Sequence, residues 1–111
     1  MSLRRGDLVT VAAKGPYTAK PRPALVIQAS ETLPYRDSVT LCLLTADLIE
    51  ASLFRVRLEP AAANGLHQPS DVMADKVLTV PRSVVSAKPF GRLGSTDLER
   101  VDAALRFWLG L

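Results

Sequence analysis

One cysteine and one histidine in 111 residues leave little for metal or redox chemistry to use. A lone Cys42 excludes an internal disulfide and any cysteine-rich zinc site. A lone His67 excludes two-histidine acid–base chemistry within one chain and argues against a zinc site. No glycine-rich phosphate loop, HExxH helix or serine-centred elbow is present. The first residues are basic but carry no apolar run of the secretory type. The longest uncharged, mostly apolar stretch, Ser38 to Ala46, is far too short to span a bilayer. The expectation is a soluble cytoplasmic protein with no membrane partner, no cofactor and no metal.

With 48% hydrophobic and 23% charged residues the chain can bury a core, which argues against disorder. Its length suits a single domain over residues 1–111, and a domain this small gains from self-association. Fourteen basic residues against eleven acidic ones give a net charge of +3. That balance permits an anionic partner without requiring one.

The pattern predicts short strands and one terminal helix. Leu8 to Ala13 reads as a strand, and the prolines of Lys14 to Pro23 read as a loop. Ala24 to Gln28 reads as a buried strand, Ser30 to Asp37 as a second loop, and Ser38 to Thr45 as a strand. In Leu53 to Glu59, Phe54, Val56 and Leu58 alternate with Arg55, Arg57 and Glu59, the clearest strand pattern in the chain. Asp71 to Val80 gives one or two strands around Asp75-Lys76, and Lys88 to Leu93 a last short one. Pro81 to Val84 suits a single helical turn. Thr96-Asp97-Leu98-Glu99 has the form of a capping box. Leu98, Val101, Leu105 and Trp108 then make one apolar helical stripe, with Gly110 as its C-cap. Strands followed by one helix imply a small α+β barrel.

Candidate chemistry centres on Lys14, Tyr17, Lys20 and Arg22. Cations with an interleaved ring suit single-stranded nucleic acid: the cations neutralise phosphates and the ring stacks a base. The same residues also suit a solvated loop with ordinary surface charge.

Arg5-Gly6-Asp7-Leu8-Val9 and Lys20-Pro21-Arg22-Pro23-Ala24-Leu25-Val26-Ile27-Gln28 resemble the opening of the MazF/PemK family of toxin endoribonucleases. Leu43-Leu44-Thr45, Asn64-Gly65-Leu66, Asp71-Val72-Met73, Asp75-Lys76-Val77 and Gly91-Arg92-Leu93 follow in the family's order. The resemblance implies an SH3-like antiparallel β-barrel with a C-terminal helix, and a homodimer. It implies metal-independent cleavage of single-stranded RNA and neutralisation by a cognate antitoxin with an acidic, disordered tail. It assigns Arg22 and Thr45 as the catalytic pair. Lys14, Tyr17, Lys20, Gln28, Asp75 and Lys76 are then the RNA-binding set. The first loop is shorter than in well-known relatives, and Ala46 leaves Thr45 as the only hydroxyl at that strand end.

Each residue has a plainer role open to it. Arg22 suits an ordinary surface position, Thr45 a strand-end cap, Asp75 and Lys76 a turn salt bridge, and His67 a solvated loop. Cys42 suits the core, and Phe107 and Trp108 core or dimer packing. A second class of function is a gyrase poison of the CcdB kind. Those toxins share the barrel and end in an aromatic pair, as Phe107-Trp108-Leu109-Gly110-Leu111 does here. They lack the Arg-Pro motif.

Overall fold

The computed structural model describes residues 2–12 and 20–111. Lys14 and Tyr17 lie outside the described residues. Six strands form one open, curled antiparallel sheet among the described residues: β1 (Asp7–Val11), β2 (Arg22–Val26), β3 (Ser38–Thr45), β4 (Arg55–Leu58), β5 (Ser70–Pro81) and β6 (Gly91–Arg92). Their order across the sheet is β4-β5-β3-β2-β1-β6. One helix, α1 (Ser95–Leu109), follows. A six-residue 3₁₀ helix occupies Ser30–Tyr35 and a single 3₁₀ turn Arg82–Val84.

Both faces of the sheet are apolar. On one face Leu8, Leu25, Cys42, Leu44, Val56, Leu58 and Val72 pack against Val101, Ala104 and Leu105 of α1. On the other, Val9, Ala24, Val26, Val39 and Leu41 pack with Leu3, Leu33, Val84 and Val85. Alternation along each strand sends neighbours to opposite faces, so β3 needs apolar residues at nearly every position.

Several sequence expectations are corrected. β2 begins at Arg22, inside the stretch expected as loop. Proline is tolerated there because the ladder from β2 to β3 starts only at Ala24↔Leu43, while β1 pairs from Val11↔Arg22. Ile27 donates its N–H to Thr40 O on β3 (3.2 Å), and Pro23, of the same parity, has no N–H to offer β3. Of the one or two short strands expected over Asp71 to Val80, the structure forms one long strand of twelve residues, β5. Its pairing with β3 passes from Cys42↔Val77 to Leu44↔Val72, so an irregularity at Met73–Lys76 absorbs three extra residues. The polar Asp75-Lys76 step marks this bend rather than a turn.

The capping box does not form. α1 starts at Ser95 with Gly94 as N-cap and no side-chain cap, and Leu98 N–H bonds Gly94 O at 3.0 Å. Asp97 instead pairs with Arg100 one turn on. Gly110 does terminate the helix, in the left-handed region at φ 72°. The stripe buries Val101, Ala104 and Leu105, while Trp108 is half exposed with its ring 5.2 Å from Phe54.

Gly91 owes its identity to a close approach: a Cβ there would lie 2.1 Å from the carbonyl oxygen of Asn64. Gly91→Ala should therefore lower unfolding free energy by about 2 kcal/mol or more, read from a denaturant midpoint. Burial pushes the Cys42 thiol up to about 12, with Asp75 adding to the shift. Native protein should accordingly leave Cys42 unmodified by a thiol reagent at pH 8, whereas unfolded protein reacts.

Candidate active site

Arg22 opens β2 and Thr45 closes β3. The register Ala24↔Leu43, Leu25↔Cys42, Val26↔Leu41, carried two residues further, sets Arg22 opposite Thr45. Cross-strand partners share a face. Thr45 also pairs with Asp71 of β5, and Asp71 pairs with Arg57 of β4. Arg22, Thr45, Asp71 and Arg57 therefore stand in one row across four adjacent strands. Their neighbours Leu44, Val72, Val56 and Leu58 point to the helix-covered core, so the row projects from the opposite face.

The members of the row differ in environment. Arg22 is exposed, and neither it nor exposed Lys20 has a carboxylate partner among the described residues. Thr45 is partly buried, and its Oγ1 accepts the N–H of Asp47 (3.0 Å). That is the strand-end cap its position suggested. The hydroxyl proton is still available to donate outward. Asp71 is 1% exposed and accepts Arg57 Nε (2.5 Å) and Ile49 N–H (3.2 Å). The Asp71 hydrogen bond holds the Arg57 guanidinium above its ordinary pKa. Arg57 also donates to Ile49 O (3.2 Å).

The remaining sequence candidates separate. Lys20 precedes Pro21-Arg22 and belongs to the same end of the sheet. Gln28 lies six residues beyond Arg22, about 20 Å away along an extended chain. Its side chain is engaged: the amide oxygen accepts Thr40 N–H (2.9 Å) and the amide nitrogen donates to Thr32 Oγ1 (2.9 Å). Gln28 thus joins the opposite end of β2 to β3. Asp75 and Lys76 do not pair with each other. Asp75 accepts Arg55 Nε at 3.0 Å in a largely buried ion pair, and Lys76 is exposed at the bend of β5. His67 lies exposed in the loop before β5.

A cavity of about 350 Å³ adjoins the row, lined by Ile49, Arg55, Arg57, Asp71 and Arg100 among others. Each of these three arginines already binds an aspartate, which leaves the cavity near charge balance. Arg22 and Lys20, at the end of β2, have no carboxylate partner among the described residues. A phosphate brought to this end of the sheet meets a guanidinium fork and a hydroxyl on one face, the donor set suited to charge growing on non-bridging oxygens. Asp71 and Arg57 escaped the sequence reading. Both lie in recognisable strands, but their alignment with Thr45 depends on the irregularity in β5.

Comparison with known proteins bears on this geometry. Residues 4–109 match the family model described as PemK-like, MazF-like toxin of type II toxin–antitoxin system. A probable endoribonuclease MazF of Mycolicibacterium smegmatis is 47% identical over 109 residues, covering 98% of each chain. A MazF toxin of Mycobacterium tuberculosis shares the fold at TM-score 0.77 and 24% identity, over 94% of this chain and 97% of that one. The MazF of a Deinococcus radiodurans MazE–MazF structure does so at TM-score 0.82 and 22% identity, over 100% and 99%. An endoribonuclease in complex with its cognate antitoxin, from a mycobacterial species, aligns at TM-score 0.81 and 18% identity, over 99% and 97%. The match over nearly all of its length makes this chain a member of the PemK-like, MazF-like toxins of type II toxin–antitoxin systems.

Proposed function

We propose that this protein is a toxin endoribonuclease that cleaves single-stranded RNA without a metal, with Arg22 and Thr45 as its catalytic pair. The carrying observation is the β2–β3 register, which extended two residues past Ala24↔Leu43 sets Arg22 opposite Thr45 on one sheet face, at an end where Arg22 has no competing carboxylate among the described residues. The 47% identical relative named as a probable endoribonuclease supports the same activity. A gyrase poison is not favoured, because the family match and the Arg22–Thr45 pair point to RNA.

The ribose 2′-oxygen attacks the adjacent phosphorus, the 2′-O–P bond forms and the P–O5′ bond breaks. The products are a 2′,3′-cyclic phosphate and a 5′-hydroxyl, the 2′-proton leaving to solvent or a base and a proton reaching the 5′-oxygen. Charge peaks on the non-bridging oxygens, where Arg22 offers a planar fork of donors. A guanidinium carries five N–H donors and no acceptor, which suits it to charge stabilisation rather than to proton abstraction. Pro21 and Pro23 restrict the backbone on either side of Arg22 and so reduce what must be ordered in the transition state. Thr45, its lone pair taken by Asp47 N–H, donates to the same phosphate. Lys20 and Lys76 extend the cationic surface along the RNA backbone.

Two partners follow from two separate surfaces. An antitoxin with an acidic, disordered tail suits a chain of net charge +3 and would cover Lys20 and Arg22. A second copy of this chain suits the apolar residues left exposed beside Trp108: Leu53, Phe107, Leu109 and Leu111 are each more than half exposed. The cytoplasm is the compartment proposed.

Arg22→Ala should reduce cleavage of a short labelled RNA in EDTA by about 10²–10³, with unchanged circular dichroism. A folded variant cleaving at the normal rate removes Arg22 from the site. Sedimentation at micromolar concentration should return twice the chain mass, and a monomer at moderate salt contradicts self-association.

A further inference from the structure

We propose that Arg57 and Asp71 are positioning residues for the Thr45 hydroxyl, acting through the backbone of residues 46–50. The inference rests on the catalytic role proposed for Thr45.

The geometry is a closed ring. Asp71 takes the N–H of Ile49 on one carboxylate oxygen and Arg57 Nε on the other. Arg57 completes the ring with a second donor to Ile49 O. Both backbone groups of one residue are thereby held by one side-chain pair, as a neighbouring strand would hold them. Yet residues 46–50 belong to no strand, and Asp47, Leu48, Ile49 and Glu50 are all exposed. Few apolar contacts are available to hold this segment in place.

The segment matters because of what it does to Thr45. Asp47 N–H occupies a lone pair of Thr45 Oγ1, which restricts the hydroxyl rotor and turns its proton away from the turn. If Ile49 is released, Asp47 loses its second anchor and the rotor loses its constraint. Reorienting the hydroxyl then becomes part of the barrier. Asp71 is also the direct cross-strand partner of Thr45, so the ring and the hydroxyl share one rigid frame. A pair serving stability alone has no need to reach past its own strands to the residues that follow Thr45.

The test is a double-mutant cycle on single-turnover cleavage of a short labelled RNA in EDTA. Arg57→Met in the otherwise natural protein should slow cleavage at saturating RNA by about tenfold or more, with KM held within about twofold. In a Thr45→Ala background the same substitution should cost nothing further, because the group it positions is gone. Equal losses in both backgrounds, or no loss in the natural one, overturn the proposal while leaving Arg22 and Thr45 in place. Arg57→Lys gives a second cycle should Arg57→Met fail to fold. It keeps a positive charge beside Asp71 but lacks the fork that reaches Ile49 O, and the same non-additivity is expected. Natural protein that leaves the RNA uncut overturns the endoribonuclease reading itself.

Discussion

A one-residue slip of β3 against β2 would turn Thr45 to the helix-covered face and leave Arg22 with no hydroxyl opposite. The register of β3 is therefore the constraint on which the site depends. Apolar alternation alone cannot hold it, because both faces of β3 are apolar and a slipped strand would still bury Val39, Leu41, Cys42 and Leu44. The register is held instead at its ends. Gln28 accepts Thr40 N–H with its side-chain oxygen, bonds Thr40 O with its backbone N–H, and reaches Thr32 with its amide nitrogen. At the far end, Pro23 stops the ladder and leaves Arg22 facing β3 without a backbone bond between them. Gln28 serves the proposed chemistry from about 20 Å away, by pinning the strand that carries Thr45.

The charges follow a similar division of labour. Asp7, Asp71, Asp75, Asp97 and Asp102 each hold an arginine. Two of these pairs fasten separate parts of the chain: Arg5 to Asp102 joins the N-terminal segment to α1, and Arg92 to Asp7 joins β6 to β1. Asp7 and Asp71 are buried, and losing either arginine would strand a charge out of water. Arg22, Lys20 and Lys76 have no carboxylate partner among the described residues, are exposed and can meet a polyanion.

What could be read from the sequence was whatever depends on local pattern. Strict alternation marked Leu53 to Glu59 as a strand, of which Arg55–Leu58 forms, the spacing of Val101 and Leu105 marked the helix, and Gly110 marked its end. The ordered resemblance of Arg5-Gly6-Asp7 through Gly91-Arg92-Leu93 carried the family and the fold. What escaped depends on pairing between distant segments. Pro23 reads as a loop former until β1 is known to be its only ladder partner. Asp75-Lys76 reads as a break until β5 is seen to bend through it. Thr96 and Glu99 have the letters of a capping box, but the backbone enters the helix two residues earlier, with Gly94 rather than Thr96 as N-cap. Asp71 and Arg57 lie fourteen residues apart, and no local pattern announces that both stand in line with Thr45.

The most direct test is a structure of the protein bound to a short RNA that carries a 2′-deoxy nucleotide at the cleaved position, which removes the attacking oxygen. The result expected is a scissile phosphate with non-bridging oxygens within about 3 Å of the Arg22 guanidinium and of Thr45 Oγ1. RNA seated on the helix-covered face, or a scissile phosphate contacting neither side chain, would contradict the account.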